Sequence, residues 1–559
     1  MDRTLLVGLD AACWEYLQPV LDAARMPTLQ QLLDTGSWGT MQSTMPPWTP
    51  TAWASIITGK NPGKHGVYDM LWRRPGTYEF TPTNALSRRG TPFWKYLNRQ
   101  GIRVGLVNVP FTYPLDDIDG FTVCGFGTPN SVPDPAFPED ALSWIRQRYP
   151  DFKPEVDSTF LQTAPPERIL NEEIDHQARN VEIATSLANR YQVDFLAINL
   201  MLTDHANHKM PLMEQLRKAY ELSDSHLMRL IDAFKPDHIL LISDHGSSRL
   251  KGDFLLNAWL RDHGYYVQTD NNPGERRDAL NWILLQWLQN RFALKGKPEK
   301  ALRLLIRELS LKSPNWFQDK FLNGFNEIIP FASEHVRKNS QPDYARTMVF
   351  TGSVYSGLLH LNLIGREPNG LVSREQRGIV LSKLSKELKE IEEPDTGRSL
   401  FSNVYTSEEI YSGRALDHAP DLILDSYDSN WNIRMRKHIP VPEKARGKYF
   451  VDVANRRDFG WHSRDGMFVF CGEGFKPGRT EVALHVMDTP AALLNLYGVP
   501  IPEDYDGRVP DEVMMEGSHR KEINFQRGDD EGEWLEGEVL SEQESEELAN
   551  HLRALGYLD

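Results

Sequence analysis

The stretch HILLISDHGSSR, residues 238–249, decides how the rest of this 559-residue chain is read. Its first half is a run of aliphatic side chains of the length and kind that fills a strand buried on both faces. The run meets Asp244 and His245, and Gly246 breaks it. Two metal-capable side chains at the carboxyl end of a buried strand stand where open α/β sheets gather their ligands. Four other short apolar runs share this texture: TLLVGLD (4–10), RVGLVNVP (103–110), DFLAINLM (194–201) and DGMFVFCG (465–472). Longer amphipathic segments separate them, which predicts an α/β fold with a mainly parallel sheet covered by helices on both faces. Three of the runs end in, or just before, an aspartate: Asp10, Asp204 and Asp244.

Composition narrows the class. With 40% hydrophobic and 25% charged residues this is an ordinary globular chain, and no apolar run reaches the roughly 20 residues of a membrane span. The N-terminus MDRTLLVGLDAA reads as a first strand rather than a secretion signal, so a cytoplasmic protein is expected. Cys13, Cys124 and Cys471 are too far apart for a disulfide framework or a thiolate metal site, which leaves oxygen and imidazole as ligands. The 62 basic against 78 acidic residues, a formal net charge of −16, argue against a surface that binds nucleic-acid duplexes. A small anionic substrate held through bound cations stays compatible with that charge. Oligomeric state has no signature in the sequence.

The length calls for a large domain with inserts. We expect the core to occupy residues 1–266 and 346–515. Between them, 267–345 changes to helical texture (ALNWILLQWLQNRF, KALRLLIREL, with Trp282, Trp287 and Trp316) and reads as an inserted helical cap. Residues 516–559 form an acidic tail in which SEQE at 541–544 offers a capping box, with Leu548, Leu552 and Leu555 on one helical face and Gly556 as a C-cap.

Each candidate for chemistry has a plainer alternative. In TDHANH, Asp204 and His208 stand four apart and share a face if a helix starts there, but an aspartate at that place is also a common N-cap. Asp10 has the same two readings. His462, in FGWHSRDG, reads as lying in a glycine-flanked loop before a strand, where a lone histidine is usually only solvated. The combination favours ligation: three aspartates and three histidines at strand ends make two mixed oxygen and nitrogen sets. MPPWTPTAWASIITGKNPGKHGVYDM supplies two threonines, Thr49 and Thr51, before an apolar helix. Either is a nucleophile once a base or a metal activates it, or simply an N-cap.

GLDAACW, PPWTPTAWASIITGKNPGKHGV, TDHANH, SDHGSS with LLNAWL, and GWHSRDGMFVFCGEGFKPG together resemble the type I phosphodiesterase and nucleotide pyrophosphatase family of the alkaline phosphatase superfamily. LHLNLIGREPNGLV, EEIYSGRALDHAPDLIL, DTPAALLNLYGVPIPEDYDGRV and the ending HLRALGYLD are similar to that family's later half. The resemblance implies an alkaline-phosphatase-like fold and two divalent ions, zinc or alternatively manganese. It implies that Asp204, His208 and His462 hold one ion and that Asp10, Thr49, Asp244 and His245 hold the other, with Thr49 as nucleophile. Thr49 is the family-matched choice because it stands ten residues before Gly59, and Thr51 is the fallback.

The chain departs from the family where nucleotide pyrophosphatases carry an asparagine against the phosphoryl oxygen: Met70 stands there. His65 and Asp69 lie nearby, His65 reading as structural. TPTAW lacks the arginine of sulfatases. The substrate expected is a small phosphate ester, a diester or pyrophosphate before a monoester, with a non-catalytic binding protein as the remaining alternative. Apolar Met70 favours a diester monoanion. Trp48, Trp53, Trp72 and Trp461 are candidate aromatic walls, and Arg73 or Arg74, facing inward, would favour a monoester dianion.

Overall fold

The computed structural model describes residues 2–210, 213–268, 342–352, 357–434, 449–452, 459–515, 524–528 and 540–555. The chain divides into two compact units, Met1–Lys251 with Leu381–Asn432 and Arg457–Leu558, and Gly252–Val380 with Ile433–Arg456. Of the expected cap, 269–341 lies outside the described residues, as do Trp282, Trp287 and Trp316.

The first unit is built on a ten-stranded sheet. Its strands in chain order are β1 (Thr4–Leu9), β2 (Ser37–Gln42), β3 (Val104–Val107), β4 (Gly120–Val123), β5 (Ala136–Phe137), β6 (Phe195–Leu200), β7 (His238–Ile242), β8 (Asp465–Gly472), β9 (Gly478–Arg479) and β10 (Leu484–His485). In space they run β9-β2-β8-β7-β1-β6-β3-β4-β5, with β10 also on β2. The centre, β7-β1-β6-β3-β4, is parallel, and β8 is inserted antiparallel between β2 and β7. The five apolar runs are therefore strands of one largely parallel sheet.

The runs lack polar alternation because both faces of the sheet are buried. Leu5, Val7 and Leu9 of β1 join Leu196, Ile198, Ile239 and Leu241 in one core, under helices α2 (Pro166–Tyr191) and α4 (Met213–Phe234). Leu6, Phe195, Ala197, Leu240 and Ile242 face the opposite core, under α1 (Thr49–Thr58) and α5 (Asp488–Tyr497). Each Leu, Ile, Val or Phe among them contributes about 1.5–3 kcal/mol on removal from water, which holds the sheet centre between its helices. At the carboxyl end of β6 the chain turns into the eight-residue helix α3 (Leu202–Lys209).

The terminal helix α6 (Glu542–Leu555) carries the expected capping box: the Ser541 amide donates to Glu544 Oε2 at 2.8 Å, and the Glu544 amide donates to Ser541 Oγ at 3.2 Å. Leu548, Leu552 and Leu555 are buried along one face, and the helix packs on the short helix Ser158–Thr163. Gly556 lies outside the described residues.

In the second unit, Gly252–Leu255 pairs antiparallel with Phe450–Asp452 and leads into the helix Leu256–Asp262. Val349–Phe350 pairs with Leu358–Leu361.

Candidate metal centre and nucleophile

Every candidate ligand belongs to the first unit, and all stand at the carboxyl ends of its central strands or on elements packed there. Asp10 follows β1, its amide donating to Leu200 O at 3.1 Å in continuation of the β1–β6 pairing. Asp244 and His245 follow β7 after the single residue Ser243. Asp204 and His208 lie on one face of α3, so Asp204 is a helix residue in the first turn rather than a cap. His462 is not in a loop. It belongs to a two-stranded ribbon, Gly246–Arg249 against Gly460–Ser463, in which it pairs with Ser247. Strand pairing thus brings it to the residues after His245.

The side chains converge in two buried groups, Asp204, His208 and His462, and Asp10, Asp244 and His245, each with ligand atoms within 4.8 Å of one another. In the first, His208 Nε2 lies 3.3 Å from Asp204 Oδ1 and 3.1 Å from His462 Nε2. In the second, His245 Nε2 lies 3.6 Å from Asp10 Oδ1 and 3.5 Å from Asp244 Oδ2. The His245 and His462 rings stack 3.8 Å apart, so the groups are neighbours. Thr49, fully buried, directs Oγ1 at His245 Nε2 from 3.2 Å. It is the first residue of α1, and Trp48 takes the N-cap position.

Two backbone carbonyls fix the imidazole tautomers. His462 Nδ1 donates to Pro47 O at 2.8 Å and His245 Nδ1 donates to Gly246 O at 3.0 Å, because a carbonyl can only accept. Both rings therefore present an Nε2 lone pair to the site, the arrangement that metal-ligating histidines adopt. Thr49 donates to His245, and its own loop holds His462 through Pro47.

The residues fit divalent cations on three counts. Ligand atoms about 2.0–2.2 Å from a tetrahedral ion stand roughly 3.3–3.6 Å apart, the range in which most of these pairs fall. Asp10 Oδ1 and Asp244 Oδ2 are buried and accept no hydrogen bond among the described residues. Three carboxylates, Asp10, Asp204 and Asp244, are also buried close to one another. Burial, then the charges of Asp244 and Asp204, hold the Asp10 carboxyl well above the usual carboxylate range. Burial and Asp204 push Asp244 up to about 8. For Asp204, burial is outweighed by His208, His462 and His245, and its carboxyl stays ionised. Burial, then the neighbouring His245, keeps His462 neutral. Cations would relieve this repulsion.

Two supporting residues escaped the sequence reading. Asn199 of β6 donates to Asp10 Oδ2 at 2.8 Å, leaving Oδ1 to face the site. Thr203 Oγ1 donates to Asp10 O at 2.6 Å. The only sequence signal for Asn199 was one amide inside an apolar run.

The remaining candidates sort by contact. His65 is structural: Nδ1 accepts from the Val67 amide at 3.1 Å, Nε2 meets Ser55 Oγ at 3.0 Å, and burial lowers its pKa to about 3. Met70 and Arg73 are buried, whereas Arg74 is on the surface paired with Glu79. Trp48 packs edge-on against Trp461 at 5.3 Å and lies 4.9 Å from His462. Trp53 is buried against Gly8 and belongs to the core.

The sequence pattern of the type I phosphodiesterase / nucleotide pyrophosphatase family matches residues 4–465, most of the chain and every candidate ligand named above. The chain belongs to that family. Among solved structures, an inactive variant of murine ectonucleotide pyrophosphatase/phosphodiesterase 5 in complex with AMP aligns at 12% identity with a TM-score of 0.46, covering 89% of this chain and 96% of that one. No curated protein sequence matches the chain. Among the described residues, no helix of this family member is long and apolar enough to cross a membrane.

Proposed function

We propose that the chain is a two-metal phosphodiesterase or pyrophosphatase in which Thr49 is the nucleophile. Asp204, His208 and His462 would hold one divalent ion. Asp10, Asp244 and His245, with Thr49, would hold the other, zinc or manganese suiting these nitrogen and oxygen donors. The observation that carries the reading is Thr49 Oγ1 at 3.2 Å from His245 Nε2, inside one of two adjoining buried Asp/His groups. When bound, the ions supply Lewis-acid stabilisation of phosphoryl oxygens and acidify a hydroxyl that they touch.

The chain's residues supply the rest. Burial of Thr49 keeps water from competing with Oγ1. Its place in the first turn of α1, at the positive end of the helix dipole, suits an anionic phosphoryl group. Oγ1 attacks phosphorus, the P–O bond to the leaving group breaks, and a phosphothreonine forms while the leaving oxygen takes up a proton. Water then cleaves the phosphothreonine, restoring the Thr49 hydroxyl and releasing the phosphate product. The complete ligand sets and nucleophile favour turnover over a purely binding role.

Apolar Met70, at the place where nucleotide pyrophosphatases carry an asparagine, favours a diester monoanion, whereas Arg73, buried rather than on the surface, favours a monoester dianion. The paired assay compares an aryl phosphodiester with the matching monoester. We expect the higher kcat/KM for the diester. A clear monoester preference would overturn that choice of substrate.

A further inference from the structure

Helix α2 carries two buried polar side chains, Glu173 and Gln177, one turn apart and only 4% exposed each. The two-step chemistry uses neither. A buried carboxylate and a buried amide on one face of a long amphipathic helix are costly unless each has a fixed partner, and both partners are on α3. Glu173 Oε2 lies 2.9 Å from His205 Nδ1. Gln177 Oε1 accepts from the Leu202 amide at 3.1 Å, satisfying one of the open donors at the start of α3. Gln177 is itself held, its Nε2 lying 2.9 Å from His226 Nδ1 on α4. On the far side of α3, the Phe459 amide donates to His208 O at 2.8 Å and Asn207 Nδ2 donates to Trp461 O at 3.3 Å, tying the helix to the strand of His462.

These contacts divide α3 by face. Successive helix residues are about 100° apart, so Asp204 and His208 share one side, while His205 flanks it, about 100° round from Asp204 and about 60° from His208. A helix of eight residues has little stability of its own. Its rotation, and with it the aim of Asp204 and His208, is set by what grips the other faces.

We propose that Glu173 is a positioning residue for the Asp204, His208 and His462 group, acting with Gln177 through His205 and the Leu202 amide to fix the rotation of α3. This rests on the two-metal reading above. Its signature is graded: Glu173 meets α3 at His205, on the helix that bears Asp204 and His208, whereas Asp10, Asp244 and His245 stand on other elements and meet α3 through the hydrogen bond from Thr203 to Asp10.

Cobalt(II) is the probe. Chelator-stripped protein is titrated with cobalt against a competing chelator, and visible absorption reports coordination at each site. For Glu173→Ala and His205→Leu we expect one of the two ions to bind about 10–100-fold more weakly and the other to hold its affinity within about twofold. His205→Asn, whose amide can replace the Nδ1 donor towards Glu173, should recover most of the loss. If Glu173→Ala fails to fold, the two His205 variants decide the matter. Variants that bind both ions as the wild type does, or that weaken both ions in step, would overturn the positioning role while leaving the proposed function intact. A wild type that holds no cobalt would overturn that function and this inference together.

Discussion

Thr49 and Thr51 stand two residues apart in the same first turn, both fully buried, and only their surroundings separate them. Thr49 Oγ1 faces His245, whereas Thr51 Oγ1 makes no hydrogen bond among the described residues. Sequence could not choose between them from local pattern, because both precede the same apolar helix. The family resemblance favoured Thr49, which stands ten residues before Gly59, the residue that closes α1 in a left-handed conformation with φ of 67°. Thr49→Ala should keep the fold and lower kcat by orders of magnitude, while Thr51→Ala should be far milder. Reversed effects in steady-state kinetics would assign the nucleophile to Thr51. Asp244 offers a test with a pH sign. Its carboxyl titrates near 3.8 when unperturbed and at about 8 in the metal-free fold. Between those values the folded form holds the extra proton, so stability is fully present below the lower value and is lost as pH rises through the upper one. Asp244→Asn removes that loss. Without metal, at pH 8.5, the variant should melt above the wild type while failing to hold the second ion. Equal melting temperatures in a thermal-unfolding scan would contradict the buried-charge account.

At the scale of elements, strand register links an unremarkable glycine to a ligand. Gly8 of β1 pairs with Asn199 of β6, and a Cβ at Gly8 would come 2.2 Å from Asn199 Oδ1 and 2.7 Å from the Trp53 ring. Asn199 has room to hold Asp10 only because residue 8 has no side chain. Gly8→Ala should therefore lower affinity for the ion held by Asp10 by about 10–100-fold, measured by chelator competition. Unchanged affinity would show that Asn199 does not orient Asp10. Such links explain what the sequence hid. The candidate ligands were legible because Asp and His at the ends of apolar strands break a pattern. Asn199, Glu173 and Gln177 break none visibly: each meets a partner that is remote along the chain or on another helix, and in isolation each reads as strand interior or polar helix face. His462 was legible as a candidate ligand but not as a strand residue, because its strand is defined by pairing with Gly246–Arg249.

For the molecule as a whole, the central sheet was readable from five apolar runs because burial on both faces leaves no polar alternation to confuse them. The antiparallel insertion of β8 between β2 and β7 was not, since direction within a sheet depends on connections rather than on composition. The sheet and the ribbon beside it bring candidate ligands more than 450 residues apart, Asp10 and His462, into adjoining groups. The central claim is that these groups hold two ions on which turnover by Thr49 depends. It is tested most directly by titrating zinc into chelator-stripped protein while following both bound metal and hydrolysis of an aryl phosphodiester. The account predicts two ions per chain, no turnover before metal is added, and activity that reaches its plateau as the second site fills. Full turnover by protein shown to contain no metal would contradict it.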